Sequence, residues 1–266
     1  MADTSAAIDT LSFLTRSEPR TRILLQLLSS GALPRRQFRD QLSVSRSTIT
    51  RALAALEERD LVGHDGGTYH LTPTGRIVAE TIADAVDTLQ VTDELSTFLE
   101  WFPYSEYDID IDDLRATEIT VATDVNPYAP SRKHAEAMRE AMTARLLLPS
   151  IDLQLVESID DLVVDGSLSI ELTIPPKMEE TVSTGEFAML LRGQIEAGGM
   201  TIFVSDAAPP FYVGLFDDDG VQVGVEDDDG YPRALLETNR DSVREWAEHI
   251  YRQYRDGARE KPAEEF

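Results

Sequence analysis

The sequence predicts an α+β chain in two parts: a small helical head closed by a β-hairpin, then a linker helix that leads into an α/β body with a mixed sheet. Three observations point there. The 266 residues leave room for two domains, each able to bury a core. Helical periodicity rules the first part of the chain and then yields to short apolar runs alternating with helical stretches, the pattern of a sheet covered by helices. The charge also changes sign. Residues 1–76 hold ten Arg (16, 20, 22, 35, 36, 39, 46, 51, 59, 76) against eight acids, a local net of +2, in a chain whose formal net charge is −25. A near-neutral head on so acidic a body needs a reason, and contact with a polyanion supplies one.

In the head, Ser17 stands at the N-cap of a helix that opens Glu18-Pro19, with Pro in the first turn where it costs no hydrogen bond. Ile23, Leu24, Leu27 and Leu28 form its apolar stripe and Gly31 ends it. Pro34 starts a short helix, Arg35 to Leu42, with Phe38 and Leu42 inward. Ser43-Val44-Ser45 is a turn ending in a good N-cap, and a helix follows from Arg46 to about Arg59 with Ile49, Leu53 and Leu56 on one face. Two short alternating strands, Leu61 to His64 and Thr68 to Leu71, flank the turn Asp65-Gly66-Gly67.

A short helix, a tight turn, a second helix with Arg and small polar residues in its first two turns, then a hairpin: this is the order of a winged helix-turn-helix. A helix fits the major groove of double-stranded DNA, its leading residues reach base edges, and Arg donates two hydrogen bonds to guanine. The expected DNA contacts are therefore Ser45, Arg46, Ser47, Thr48, Thr50 and Arg51, with Arg35 on the preceding helix and His64 and Thr68 on the wing.

Thr72-Pro73 caps the next helix. From Arg76 to Glu100 one long helix is expected, its stripe running Ile77, Val78, Ile82, Val86, Leu89, Leu95, Phe98 and Leu99, serving as linker and seam of a homodimer. The expected division is 1–76 for the winged head, 77–102 for the linker helix, 103–258 for the body and 259–266 for the tail, with fraying expected over Asp256–Phe266. In the body, strands are expected at 118–123, 145–148, 167–174, 200–205, 211–216, 221–226 and 233–238, and helices at 131–143, 150–165, 176–197 and 241–255. The early β/α alternation favours parallel pairing. In an open parallel sheet a ligand lies beyond the carboxyl ends of the strands. That makes Asp124, Asn126 and Asp206, with Phe211 and Tyr212 as an aromatic wall, the expected contacts of a small-molecule effector.

Composition narrows the chemistry. The absence of Cys removes disulfides, thiolate metal sites and a Cys nucleophile. No apolar run approaches the length of a membrane span, and the first ten residues lack the features of a secretory signal, so a cytoplasmic protein is expected. The chain has 49 Asp+Glu against 24 Lys+Arg, and only Lys133, Lys177 and Lys261 are lysines. A carboxylate-rich, Lys-poor surface suits molar salt, where screening over about 3 Å makes its self-repulsion tolerable. Asp108-x-Asp110-x-Asp112 begins like a calcium loop, but Asp113 stands where glycine is required and Ile119 where the bidentate Glu belongs. The runs Asp217-Asp218-Asp219-Gly220 and Asp227-Asp228-Asp229-Gly230 read as solvated turns, and the four His are scattered. No nucleophile elbow, Walker loop or dinucleotide fingerprint is present, so no catalytic residues, metal or cofactor are expected.

Several short motifs resemble a known family. Leu11-Ser12-Phe13-Leu14, Ser17-Glu18-Pro19-Arg20, Val44-Ser45-Arg46-Ser47-Thr48 and Leu71-Thr72-Pro73-Thr74-Gly75-Arg76 are similar to the N-terminal domain of haloarchaeal winged-helix transcriptional regulators. Trp101-Phe102-Pro103, Asn126-Pro127-Tyr128-Ala129-Pro130, Pro210 to Leu215 and Asp228 to Leu235 are similar to its C-terminal part. There the sensor region is related to the methanogenesis-regulatory (FilR-type) middle domain and to sugar-sensing archaeal regulators. The resemblance implies a dimeric DNA-binding regulator and names no ligand. Similar sensor domains are distant relatives of a phospholipase-type fold, but the H-x-K pair of that chemistry is missing: Lys133 precedes His134 and Glu136 follows two residues on. Two other functions fit the same chain, an enzyme with a DNA-targeting head and a regulator whose body is only a protein-interaction platform.

Overall fold

The computed structural model describes residues 4–115 and 117–266. The chain divides into two compact units, Met1–Gln90 and Val91–Phe266.

The first unit is a winged helix-turn-helix. Its helices are α1 (Thr4–Thr15), α2 (Glu18–Ser30), α3 (Arg35–Leu42), α4 (Arg46–Glu58) and the first part of α5 (Pro73–Glu94). Strands β1 (Leu33–Pro34), β2 (Val62–Asp65) and β3 (Thr68–Leu71) form an antiparallel sheet in the order β1-β3-β2. Ile23, Leu24, Leu27, Phe38, Ile49, Leu53 and Leu56 meet in one core, each almost wholly buried, a contribution of about 1.5–3 kcal/mol per large apolar side chain. Gly66 and Gly67 both take positive φ, 58° and 86°, the conformation that a two-residue hairpin turn demands. Ser43 closes α3 in the left-handed region at φ 47°, so the chain reverses within two residues before Ser45 caps α4.

Sequence periodicity overlooked two elements here. The helix α1 carries a weak stripe, with Ile8 and Leu11 exposed and Leu14 buried. It is held instead by Phe13, whose ring carries the guanidinium groups of Arg20 and Arg59 at 4.2 and 4.0 Å. The two-residue β1 exists only as a partner of β3.

The second unit is an eight-stranded mixed sheet between two helical layers. After α6 (Ser96–Trp101) come β4 (Glu118–Val121), α7 (Ala129–Glu140), β5 (Thr143–Leu147), α8 (Leu153–Val164), β6 (Ser169–Ile174), α9 (Pro176–Val182), α10 (Gly185–Glu196), β7 (Met200–Val204), β8 (Tyr212–Phe216), β9 (Gly220–Glu226), β10 (Pro232–Thr238), α11 (Asp241–Arg255) and β11 (Arg259–Glu260). The strand order is β11-β7-β6-β5-β8-β9-β10-β4. Among the described residues, β5, β6 and β7 pair parallel, and the remaining pairs are antiparallel. The reason lies in the connections: a parallel crossover needs a dozen or more residues, and the Asp-rich turns after β8 and β9 are far shorter. The first Asp of each turn anchors it, Asp217 to the start of β5 and Asp227 within its own turn. The Asp217 carboxylate accepts from the backbone N–H of Met142 and Thr143 at 3.0 and 2.8 Å, and that of Asp227 from Asp229 and Tyr231 at 3.1 and 3.0 Å.

Strand alternation sorts the core into two faces. Leu146, Ile170, Leu172, Ile202 and Tyr212 point toward α7, α8, α9 and α10. Leu147, Phe211, Val213 and Val223 point toward α6 and α11.

Three expectations require correction. The rod expected over 76–100 is broken at Leu95 into α5 and α6. The helix expected over 176–197 is two, because Gly185 adopts φ 62° between α9 and α10. The tail is not frayed: β11 pairs with β7, and Lys261 is buried against Glu179, the carbonyl of Glu265 and the ring of Phe266.

Candidate functional site

The exposed side of α4 is what the head offers to a ligand. Ser45 takes the N-cap geometry, its hydroxyl accepting from the Thr48 N–H at 3.2 Å and meeting the Ser47 and Thr48 hydroxyls at 2.9 Å. Thr50 bonds back to the carbonyl of Arg46 at 2.9 Å. With Ile49, Ala52, Leu53 and Leu56 committed to the core, Arg46, Ser47, Thr50 and Arg51 remain on the open face. Ser45 and Thr48 therefore act within the helix terminus, whereas both guanidinium groups project outward.

The head arginines sort by what they touch. Arg20 and Arg59 clamp Phe13. Arg22, Arg39 and Arg76 pair with Glu18, Asp40 and Glu80. Arg46 and Arg51 have no carboxylate partner among the described residues, and neither does Arg36, an exposed residue of α3 that the sequence pattern did not single out. Arg35 is held differently: its guanidinium donates to the Tyr69 hydroxyl at 2.6 Å. The same ring stacks on His64, with centroids 4.3 Å apart and planes within 17°. Buried Tyr69 thus fixes Arg35 and His64 beside the wing, a role no spacing rule announces. Thr68 closes the turn, its hydroxyl donating to the Asp65 carbonyl at 2.9 Å.

In the body, a cavity of about 400 Å³ lies between α7, α8 and the strands they cover. Of the five expected effector contacts, the cavity reaches only Tyr212. Asp124 and Asp206 are exposed elsewhere, and Asn126 accepts a hydrogen bond from Arg132. Phe211 is wholly buried on the other face, 4.9 Å from Phe102 and 4.8 Å from Tyr107 between ring centroids. Neighbouring strand residues point to opposite faces, so Phe211 and Tyr212 never shared a wall.

Two glycines make the space for Tyr212. A Cβ on Gly214 would stand 2.0 Å from the tyrosine hydroxyl, and one on Gly224 would stand 3.0 Å from its ring. Glycine inside a β-branched run is the signal that could have found this site. Beside the ring, His134 Nδ1 lies 2.9 Å from Gln222 Oε1 and 3.1 Å from the Tyr212 hydroxyl. A carbonyl oxygen only accepts, so Nδ1 carries the proton and Nε2 the lone pair. Gln222 is itself oriented by donating to Glu237 at 2.9 Å, and Lys133 bridges Glu237 and Glu118 at 3.3 and 3.2 Å.

Burial pushes the His134 imidazole below its ordinary pKa, against the bond to Gln222 that favours its charged form. The unfolded chain therefore takes up a proton that the folded one refuses. Stability is intact above the ordinary histidine pKa of about 6.5 and falls as the pH drops through it. In urea unfolding of the body between about pH 8 and pH 5, the midpoint of His134→Gln should decline less than that of the unsubstituted chain; equal declines would show that His134 does not titrate this way.

Among the described residues, no helix is long and apolar enough to cross a membrane. Residues 8–94 match the family model of the HVO_A0261 N-terminal domain, and residues 127–257 that of the middle domain of the methanogenesis regulatory protein FilR1. No curated protein matches the chain. Among solved structures, TrmBL2, an archaeal chromatin protein, is similar at 13% identity over 91% of this chain and 93% of its own, with a TM-score of 0.41. A phospholipase D family member, Nuc from Salmonella typhimurium, is similar at 11% identity over 55% of this chain and 99% of its own, with a TM-score of 0.44. The chain thus carries a segment similar to the HVO_A0261 N-terminal domain, followed by one similar to the FilR1 middle domain.

Proposed function

We propose that this chain is a sequence-specific, DNA-binding transcription regulator: the head reads double-stranded DNA through α4, and the body binds rather than transforms a small-molecule effector. One observation supports the reading above the others. In a chain of net charge −25, Arg46 and Arg51 stand exposed and unpaired on the leading turns of a capped helix. The second matched family bears the name of a regulatory protein, which agrees with that reading.

The proposal includes a homodimer, since a two-fold protein is what reads two half-sites. Its seam is assigned to α5, where Ile77 and Leu89 are 66% and 69% exposed on a stripe with Thr81 and Ala85. The platform alternative is disfavoured by the body cavity, which a solid interaction module would lack.

Selection of bound duplexes from a random library by the full chain tests the proposal. Two half-sites about 34 Å apart are expected. Counterion release weakens binding with a slope of about −0.9 per phosphate contact, so a protein suited to concentrated salt must lean on base edges. Enrichment should persist above about 1 M KCl; absence of any enriched sequence, or its loss at that salt, would refute sequence-specific reading under those conditions.

A further inference from the structure

The body cavity opens to solvent at its rim and falls within the size range of small-molecule pockets, about 300–1,000 Å³. Its depth is apolar and buried, formed by Leu146, Ile170, Leu172, Leu191 and Met200. Its exposed rim is polar, and there the charges are distributed unevenly.

Most cations of the body are matched to carboxylates. Lys133, Arg145, Arg192, Arg233, Arg244 and Arg255 each lie within 4.0 Å of one. Arg132 and Arg139 are not. They lie two turns apart on α7, both line the cavity, and among the described residues neither has a carboxylate partner. Arg132 donates instead to the neutral amide oxygen of Asn126.

The carboxylates on the rim are otherwise engaged. Asp152 caps α8, accepting from the Gln154 N–H at 2.8 Å, and Glu226 accepts from the Ser150 hydroxyl while burial drives it toward its neutral form. In a body this acidic, two unpaired guanidinium groups beside an apolar recess form an unmet anion site; guanidinium is also the side chain best shaped to take a carboxylate through two parallel bonds.

We propose that this cavity binds a small organic carboxylate with an apolar body, its head held by Arg132 and Arg139 and its tail lying on Leu146, Leu172 and Met200. The assignment deepens the effector role proposed above and rests on it only for the consequence at DNA.

Binding is measured first without DNA, by calorimetric titration of the full chain with three probes of one tail and different heads: octanoate, 1-octanol and octylammonium. Octanoate should bind at least tenfold tighter than octanol, and octylammonium weakest. The Arg132→Gln/Arg139→Gln variant should lose at least tenfold for octanoate while keeping its octanol affinity. Filling the recess with Leu155→Trp should abolish both, and Ala135→Phe serves if the first melts at a lower temperature than the parent. Octanoate no tighter than octanol, octanoate binding indifferent to the double variant, or binding unaffected by the filled recess would each overturn the assignment. Octanoate is then added to the DNA complex. An unchanged DNA affinity with octanoate bound would sink the effector role and leave the carboxylate site standing, whereas failed titrations with intact DNA binding would sink the site alone.

Discussion

Replacing Arg46 and Arg51 together by Ala should weaken binding to the selected duplex by at least about a hundredfold, because a bidentate contact to a base contributes about 1–3 kcal/mol of discrimination. The loss should be selective. A guanidinium that reads a base edge contributes to sequence preference, whereas one that touches only phosphate changes affinity for every duplex and lowers the salt slope by about 0.9. Positions Arg46 and Arg51 are expected to be of the first kind, since they occupy the first two turns of α4 and are tied to nothing. Arg36 on α3 is expected to be of the second kind, exposed and unpaired one helix earlier. Folding should be untouched, since exposed, partnerless side chains usually change stability by no more than about 0.5 kcal/mol. Fluorescence anisotropy with the selected and a scrambled duplex, backed by genome-wide mapping of occupied sites, separates the cases. Equal occupancy by the double variant would show that α4 does not read the bases.

Much of the head was legible because its signals are local. Ser45 before an apolar period, Gly66-Gly67 between alternating runs and Pro19 in a first turn each state a backbone conformation, and the observed elements α2, α3, α4, β2 and β3 sit where those residues put them. In the body, α11 and β6 to β10 were legible for the same reason.

What periodicity missed depends on residues far apart in sequence. The pairing direction of β8, β9 and β10 followed from connection length, not from the apolar pattern. Tyr69 organises Arg35 and His64 across 34 and 5 positions of sequence, through one hydroxyl and one ring face. The cavity lay hidden for a related reason. Its rim cations are notable only for lacking partners, which is a statement about every other residue nearby. The expected effector residues were placed beyond strand ends, whereas the recess lies on the sheet face under α7 and α8 and of those residues reaches Tyr212.

Gly75→Ala should unfold the head at a much lower temperature while leaving the body alone. Glycine here answers to distance rather than dihedral angle: a Cβ would stand 1.7 Å from the carbonyl oxygen of Leu61 and 2.6 Å from its carbon. Both atoms are backbone, and they are tied from several sides. The Leu61 carbonyl accepts from the Thr72 N–H at 3.2 Å, and Leu61 itself donates to Leu56 at 3.0 Å with its side chain buried in the core. Thr72 then donates its hydroxyl to the Asp60 carbonyl at 2.6 Å and accepts from the Gly75 N–H at 2.9 Å. Relieving the clash means lifting the start of α5 off the wing and breaking that set of bonds. Overpacking costs about 1–3 kcal/mol and occasionally more, and the rigidity of this contact places it at the upper end despite the roughly 1 kcal/mol that Ala gains over Gly inside a helix. For a unit of this size a loss of about 3 kcal/mol lowers the midpoint by roughly 10–20 °C. Scanning calorimetry should show the head transition moving and the body transition staying. Gly193→Ala provides the control: it is the same substitution on an exposed position of α10, where a Cβ meets nothing within 4 Å, and the body should gain up to about 1 kcal/mol. One chemical change of opposite sign at two helical glycines isolates close backbone approach as the cause, and a Gly75→Ala head that melts like the parent would show that α5 does not need that contact to dock.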